Sequence, residues 1–168
     1  AMYAAVKAVD SRGQVAIMAP TEVLARQLYQ RFNECLGPLG ISVGLLVGSL
    51  TETAKKAVKR SLQSGSLSVV IGTHALLTES VVFSRLTLAI IDEQHRFGVR
   101  QRLALGGKGR ADLLVMTATP IPRSLALTLY GDLHNTIIPD KPVGRKPVDS
   151  RWIHPAQRPK VYEFVKKS

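Results

Sequence analysis

The sequence has one cysteine and no long apolar run. Cys35 cannot form an internal disulfide, and its place between Phe32 and Leu36 in a helical pattern predicts a packed thiol and no redox function. No apolar stretch reaches the ~20 residues that a transmembrane helix needs. The first residues also lack the basic-then-apolar order of a signal peptide. The sequence therefore predicts a cytoplasmic protein that does not contact a membrane.

Short apolar runs alternate with helical patterns along the chain. A strand that is apolar at consecutive positions is typical of a sheet buried on both faces, and alternation with helices favours parallel strands. The predicted strands are 14–19, 42–47, 68–71, 88–92 and 113–117, and the predicted helices are 23–36 and 51–63. Ser49 and Glu52 have the spacing of a capping box for the second helix. We expect an α/β fold, a parallel sheet flanked by helices.

Changes in composition indicate domain boundaries. Residues 139–148 contain three prolines and one glycine, which is typical of a linker. We therefore predict a main domain over 1–138 and the start of a second domain over 149–168, with a strand at 149–153 and a helix at 160–167. Residues 1–10 resemble the later part of a helix, so we expect the chain to begin and end inside longer elements.

Polar residues follow each of the five apolar runs. In an open parallel sheet, ligands bind at the carboxyl ends of the strands, so these residues are the first candidates for a site. Asp92 and Glu93 follow the fourth run, where two carboxylates suit Mg²⁺ binding and activation of a water for attack on a phosphate. A solvated turn is the alternative interpretation of this pair alone.

Four segments in order resemble motifs Ia, Ib, II and III of superfamily 2 helicases. They are 19–27 (APTEVLARQ), 72–77 (GTHALL), 92–102 (DEQHRFGVRQR) and 117–123 (TATPIPR). The DEQH tetrad, its RFGVRQR extension and the following TATPIPRSLALTLYGDL resemble the RecG family of branched-DNA helicases in particular. The resemblance extends over the whole chain, and it implies a RecA-like motor domain whose partner is DNA and whose cofactors are ATP and Mg²⁺.

The resemblance also implies roles for individual residues. Asp92 matches the Mg²⁺-binding carboxylate, Glu93 the water-activating one, and His95 a residue that links hydrolysis to movement on DNA. The residues implied to couple hydrolysis to movement are Thr117, Ala118, Thr119 and Arg123. The residues implied to contact the DNA backbone are Pro20, Thr21, Gly48, Ser49, Gly72, Thr73 and His74, joined by Arg96, Arg100 and Arg102, which could instead be exposed helix charges.

One family motif does not occur in the 168 residues. The phosphate loop, G-x-x-x-x-G-K-[ST], is absent, and in the resembled fold its strand lies outside the run 113–117. We therefore expect this chain alone to lack ATPase and helicase activity. We also expect 113–117 to be an unprotected sheet edge, covered by 135–138 folding back or by a homodimer.

The net charge of +11 is concentrated in the second half of the chain. Residues 96–168 contain 14 Lys and Arg against 5 Asp and Glu, which suits a polyanionic partner. Three hypotheses stay open: part of a RecG-type DNA motor, a non-catalytic DNA- or protein-binding module, and a motor segment like that of a transcription-repair coupling factor. Gln94 favours the first over the third, where a second glutamate is usual.

Overall fold

A computed structural model describes residues 1–92, 111–117, 134, 136–138, 150 and 152–167. The chain forms two compact units, Ala1–Pro122 and Arg123–Ser168. The predicted linker, 139–148, lies outside the described residues, so the predicted domain boundaries stay a prediction. Within the described ranges, no helix combines the length and the apolar composition needed to cross a membrane.

The first unit is a parallel sheet with helices between its strands. Its described helices and strands are α1 (Met2–Asp10), β1 (Gln14–Met18), α2 (Glu22–Leu36), β2 (Val43–Leu46), α3 (Glu52–Ser64), β3 (Val69–Gly72), β4 (Leu86–Ile91) and β5 (Asp112–Val115). Short 3₁₀ turns follow α2 at Gly37–Leu39 and β3 at His74–Leu77. These elements confirm the predicted α/β class and all five predicted strands.

The five strands lie in the order β2-β3-β1-β4-β5, and every pair is parallel. At the centre, Met18 is in register with Gly72 on one side and with Ile91 on the other. Among the described residues, β5 pairs on one side alone, with β4, as predicted for an edge strand. The carboxyl ends of all five strands therefore lie along one edge of the sheet.

The two faces of the sheet are covered by different helices because successive strand residues point to opposite faces. Val15 and Ile17 of β1 pack in the same cluster as Phe32 and Leu36 of α2. Ala16, Met18 and Leu62 of α3 belong to the cluster on the other face. Every residue of β1 is buried, which explains why its sequence shows no polar alternation.

The capping residue predicted for α3 is wrong. The helix begins after Thr51, whose Oγ1 accepts a hydrogen bond from the Ala54 N–H at 3.2 Å. Ser49 cannot cap it because its hydroxyl is bound to Glu22 of the neighbouring helix. Helix α2 is also capped by the threonine directly before it, since Thr21 Oγ1 accepts a hydrogen bond from the Leu24 N–H at 3.3 Å.

Two other predictions differ from the structure. The Cys35 thiol is exposed, because Phe32 and Leu36 are the residues through which this turn of α2 faces the sheet. In the second unit, the described residues between 149 and 153 are not in a strand, and Trp152 is exposed there. That unit contains a helix, α4 (Arg158–Lys167), close to the one predicted.

The segment predicted to cover the β5 edge lies in the second unit. The described part of 135–138 forms no strand, and Ile137 and Ile138 are 79% and 85% exposed. The fold-back over β5 stays a prediction.

Gln14, the first residue of β1, is buried at the amino edge of the sheet with its side-chain amide fully bonded. Its Nε2 donates to the Leu62 carbonyl at 2.9 Å and to the Leu67 carbonyl at 2.8 Å. Its Oε1 accepts from the Arg85 N–H at 2.9 Å, while its own N–H donates to the Arg85 carbonyl at 2.7 Å. One side chain therefore joins the end of α3, the start of β3 and the start of β4.

Candidate functional site

The carboxyl edge of the sheet brings together the loops that the sequence singled out. The Ala19 N–H donates to the Gly72 carbonyl at 2.8 Å, so the loops after β1 and β3 begin side by side. The Asp92 N–H donates to the Met18 carbonyl at 3.0 Å, which fixes the start of the loop after β4 beside β1. Such an edge is where open parallel sheets bind their ligands.

Asp92 lies at the tip of β4, next to the central strand, and is half-buried. Thr117 follows β5 and is half-buried. The Met116 N–H donates to the Ile91 carbonyl at 2.9 Å, which fixes the start of the loop after β5 beside β4. Within the described residues, no group of three or more His, Cys, Asp or Glu side chains could form a metal cage. One carboxylate at a strand tip is nevertheless compatible with Mg²⁺, which proteins bind through one or two carboxylates together with the substrate phosphates.

A carboxylate on α2 holds the loop that follows β2. The Glu22 carboxylate accepts hydrogen bonds from the Ser49 N–H, at 3.1 Å, and from the Ser49 hydroxyl. Arg26, one turn further along the same helix, donates from Nη2 to Ser49 Oγ at 3.0 Å. A Cβ atom added to Gly48 would lie 3.0 Å from Glu22 Oε1, so glycine allows this close approach. We call this set, Glu22, Arg26, Gly48 and Ser49, the loop latch.

The loop latch favours an ionised Glu22. The pKa of this carboxyl is lowered from its ordinary value of 4.5, mainly by the hydrogen bond from the Ser49 hydroxyl. The Ser49 N–H and the positive charge of Arg26 lower the pKa further, while partial desolvation opposes them. The latch is therefore closed at neutral pH.

The start of α2 offers polar groups at the same edge. Thr21 is exposed, and because its Oγ1 accepts the capping hydrogen bond, its O–H can donate to a ligand. Pro20 is half-buried and leads into the cap. A helix amino terminus with an exposed hydroxyl is suited to contact an anion.

The residues after β3 differ sharply in exposure. Gly72 is buried, and an added Cβ would lie 2.2 Å from the backbone oxygen of Leu46, so close packing against β2 explains the glycine. Thr73 is 3% exposed, and its Oγ1 has no hydrogen-bond partner within the described part of the chain. His74 is exposed at the start of the 3₁₀ turn. His74 is therefore the member of this group whose side chain faces solvent.

The described site thus contains Asp92, Thr117 and the predicted residues of the first three loops. The other predicted residues lie outside the described residues: Glu93, His95, Arg96, Arg100, Arg102, Ala118, Thr119 and Arg123. Sequence reasoning missed Glu22 and Arg26 as site residues. Their spacing of four, which places both side chains on one face of α2, was the signal that could have identified them.

Comparison with known families and structures agrees with this architecture. Residues 1–128 match the DEAD/DEAH box helicase family. A structure of RecG bound to a three-way DNA junction superposes with a TM-score of 0.77 at 47% identity, over 92% of this chain and 21% of that one. The helicase MrfA, at 21% identity, shares the fold with a TM-score of 0.55 over 74% of this chain and 22% of that one.

Individual relatives are similar over nearly the whole chain. The ATP-dependent DNA helicase RecG of Aquifex aeolicus is 47% identical over 99% of this chain and 22% of its own length. The Thermotoga maritima RecG is 51% identical over 92% of this chain and 20% of its length, and the Escherichia coli K12 RecG is 46% identical over 98% and 24%. The chain thus spans 20% to 25% of the length of the curated relatives it matches.

Proposed function

This chain belongs to the DEAD/DEAH box helicase family and corresponds to a segment of RecG helicases, and from this premise we propose that it is motor-domain sequence of a RecG-type, ATP-dependent DNA helicase acting on branched DNA. The residues 139–148 would connect it to a second motor domain that begins at 149. A cytoplasmic location is part of the same proposal.

The parallel register of the sheet carries the proposal. It places Asp92, Thr117 and the loops after β1, β2 and β3 on one edge, which is the edge where this class of sheet binds ligands. A motor needs nucleotide and DNA sites that are mechanically connected, and adjoining strand tips of one rigid sheet provide that connection.

The nucleotide would meet the end of the sheet at β4 and β5. Asp92 would hold Mg²⁺, and the bound ion would supply charge neutralisation to the phosphates. Glu93 would orient and deprotonate the attacking water, and His95 would join that carboxylate pair to the DNA side. Thr117, Ala118, Thr119 and Arg123 would report the state of the nucleotide because Thr117 follows β5, which pairs with β4 directly before Asp92.

The DNA backbone would lie over the loops after β1, β2 and β3. The Thr21 hydroxyl and the exposed His74 are the described side chains best placed to contact phosphates. Ser49 is bonded to Glu22 and Arg26, so we propose that it contributes the shape of its loop together with Pro20 and Gly48. Buried Gly72 and Thr73 would support this surface from below. The arginines Arg96, Arg100 and Arg102 would add positive charge beside it.

A segment exchange tests the nucleotide site. Residues 1–168 replace the matching segment of the Aquifex aeolicus RecG, and DNA-dependent ATP hydrolysis is measured. We expect the exchanged protein to be active, and we expect Asp92→Asn to lower its turnover by roughly a hundredfold or more, as loss of charge stabilisation at a phosphoryl-transfer site does. The 168-residue chain by itself should not hydrolyse ATP, because it contains no phosphate-loop motif.

Asp112→Asn is the matched control for that exchange. It makes the same substitution in the same sheet, but Asp112 is exposed at the amino end of β5. Its turnover should equal that of the unsubstituted exchange. Equal losses in both variants, or none in either, would contradict the assignment of Asp92.

DNA binding is tested on the chain itself. Labelled duplex and forked DNA should bind weakly, without sequence preference, and with an affinity that falls steeply between two salt concentrations. His74→Ala should weaken binding by about fivefold, roughly the net value of one hydrogen bond. His154→Ala, which removes an exposed histidine from the second unit, should not. Salt-insensitive or base-specific binding would refute the backbone contacts proposed here.

A further inference from the structure

A polar cavity lies at the amino edge of the sheet, opposite the site described above. It has a volume of about 300 Å³, and its lining includes Arg12, Gly13, Gln14, Ser68, Ser84 and Arg85. These residues precede β1, β3 and β4, so three strand starts converge there. None of the described residues that line it is acidic. The cavity therefore combines two positive charges with hydroxyl groups, and the described part of its lining contributes no carboxylate to neutralise them.

The backbone of Arg12 is held in an unusual conformation. Helix α1 ends at Asp10, and after Ser11 the backbone of Arg12 has φ of 57°, the left-handed region that a residue with a Cβ adopts at a cost and glycine adopts without strain. Hydrogen bonds from the N–H groups of Arg12 and Gly13 to the Val9 and Ala8 carbonyls, at 2.8 and 3.0 Å, fix it there. The chain thus has an arginine where glycine would be the least strained residue.

Glycine is required at the next position instead. A Cβ atom added to Gly13 would lie 1.9 Å from Thr87 Oγ1, so no larger residue fits without rearrangement. The end of α1 therefore fixes the backbone of Arg12, while its exposed side chain can reach a ligand.

The backbone of Arg85 is fixed as well. Its N–H and carbonyl both bond to Gln14, at 2.9 and 2.7 Å, so this arginine starts from a rigid point on the sheet. Ser42 donates its hydroxyl proton to the Ser66 carbonyl at 2.9 Å, so the Ser68 O–H, 3.2 Å from Ser42 Oγ, would turn from that contact to donate to a ligand. Ser84 adds a second hydroxyl to the lining. The described ion pairs involve neither Arg12 nor Arg85.

We propose that the cavity at the amino edge is a binding site for a phosphate group, held by Arg12 and Arg85 with the hydroxyls of Ser68 and Ser84. Two guanidinium groups and two hydroxyls offer more hydrogen-bond donors than the two oxygens of a carboxylate can accept. A phosphate dianion matches both the positive charge and the number of donors, and arginine recognises its oxygens in a bidentate way. No residue of the proposed helicase site takes part, so the two proposals can fail separately.

Titration with inorganic phosphate tests the site. In an amide NMR titration of the 168-residue chain at constant ionic strength, the N–H signals of Gly13 and Arg85 should shift saturably, whereas those of the exposed Gln30 and Glu34 on α2 should not. Acetate at the same concentration should cause no saturable shift. Saturable binding of acetate with equal affinity, or no saturable shift with phosphate, would overturn the proposal.

Matched variants assign the binding to the two arginines. Arg85→Gln and Arg12→Gly should each weaken phosphate binding by about tenfold or more, the effect of losing one charge-assisted hydrogen bond. Arg12→Gly relieves backbone strain, so it should fold at least as well as the parent chain. Arg31→Gln removes an exposed charge from α2 and should leave binding unchanged. An equal loss in Arg31→Gln would show unspecific charge attraction and refute the site.

Two further ligands distinguish the source of the phosphate group. A nucleoside 5′-monophosphate tests a small-molecule source, and a short DNA duplex with and without a 5′-terminal phosphate tests a nucleic-acid source. Arg12-dependent binding that requires the terminal phosphate would assign the site to DNA ends. Arg12-dependent binding of the monophosphate or of inorganic phosphate alone would assign it to a free phosphate compound. Binding of any of these ligands that is unaffected in both arginine variants would overturn the proposal.

Discussion

Replacing Gln14 by leucine should destabilise the first unit more than any surface change. The substitution keeps the approximate size of the side chain and removes three hydrogen bonds at a residue that is 4% exposed. The Leu62 carbonyl retains other donors, the N–H groups of Gly65 and Ser84, both at 3.2 Å. The groups that lose a partner are therefore the Leu67 carbonyl and the Arg85 N–H.

The magnitude follows from those two groups. A buried polar group left without a partner costs about 1–3 kcal/mol. Arg85 is exposed, so its N–H can recruit water and belongs at the lower end of that range. We expect a net loss of about 2–4 kcal/mol in the free energy of unfolding, which lowers Tm by roughly 5–12 °C for a domain of this size. Urea and thermal unfolding followed by circular dichroism would measure both.

Two companion variants make the test specific. Gln30→Leu removes an exposed hydrogen bond to Glu34 and should change stability by less than about 0.5 kcal/mol. Gln14→Glu should lower the free energy of unfolding more than Gln14→Leu does at pH 7, because a carboxylate would face two carbonyl oxygens. Burial would raise the pKa of the introduced carboxyl, so that deficit should shrink as the pH falls through the raised value. Equal stability of Gln14→Leu and Gln30→Leu would refute the reasoning.

Three other outcomes are expected. Gly72→Ala should lower the free energy of unfolding in urea by about 1–3 kcal/mol or more, because the added Cβ would lie 2.2 Å from a backbone oxygen. Gly37→Ala should leave the free energy of unfolding nearly unchanged, because a Cβ at Gly37 would enter open space. Thr73→Val should match or exceed the parent stability, since the buried hydroxyl has no partner within the described residues; a loss above about 1 kcal/mol would contradict this. The pKa of Glu22 is lowered, so protonation of this carboxyl should open the loop latch only as the pH falls below the ordinary value of 4.5, and the Ser49 amide NMR signal should then shift. Glu22→Gln should abolish that pH-dependent shift.

The strands were predictable because burial on both faces leaves a plain trace in the sequence. The run from Gln14 to Met18 is buried at all five positions, and the observed strand coincides with the predicted one apart from its last residue. The carboxyl-edge location of Asp92 followed from the same pattern together with the general behaviour of parallel sheets. The position of β5 at one edge of the sheet was predicted from the resemblance, and it is confirmed among the described strands.

Side-chain partners were less predictable because they depend on elements that are distant in sequence. The capping-box spacing predicted Ser49 as the cap of α3. In the structure the Ser49 hydroxyl is bound to the Glu22 carboxylate, and Thr51 caps the helix. Cys35 was expected to be packed because its neighbours at helical spacing are apolar. A single helix has a narrow buried face, and its exact angle relative to the sheet decides which of three adjacent apolar positions is covered.

The central place of β1 has a consequence for how the chain acquires its structure. Val15 pairs with Val69 on one side and Leu88 on the other, and the bond from the Arg85 N–H to the Gln14 side chain spans 71 residues of sequence. Such non-local pairing slows folding because large loops must close before any contact compensates for them. At a synthesis rate of about 5–20 residues per second, the buried strand of Gln14 to Met18 waits on the order of 4–14 s at the ribosome before its second partner exists. During that interval the apolar residues Val15 to Met18 are exposed, which makes the nascent chain a substrate for chaperones that bind extended hydrophobic peptides.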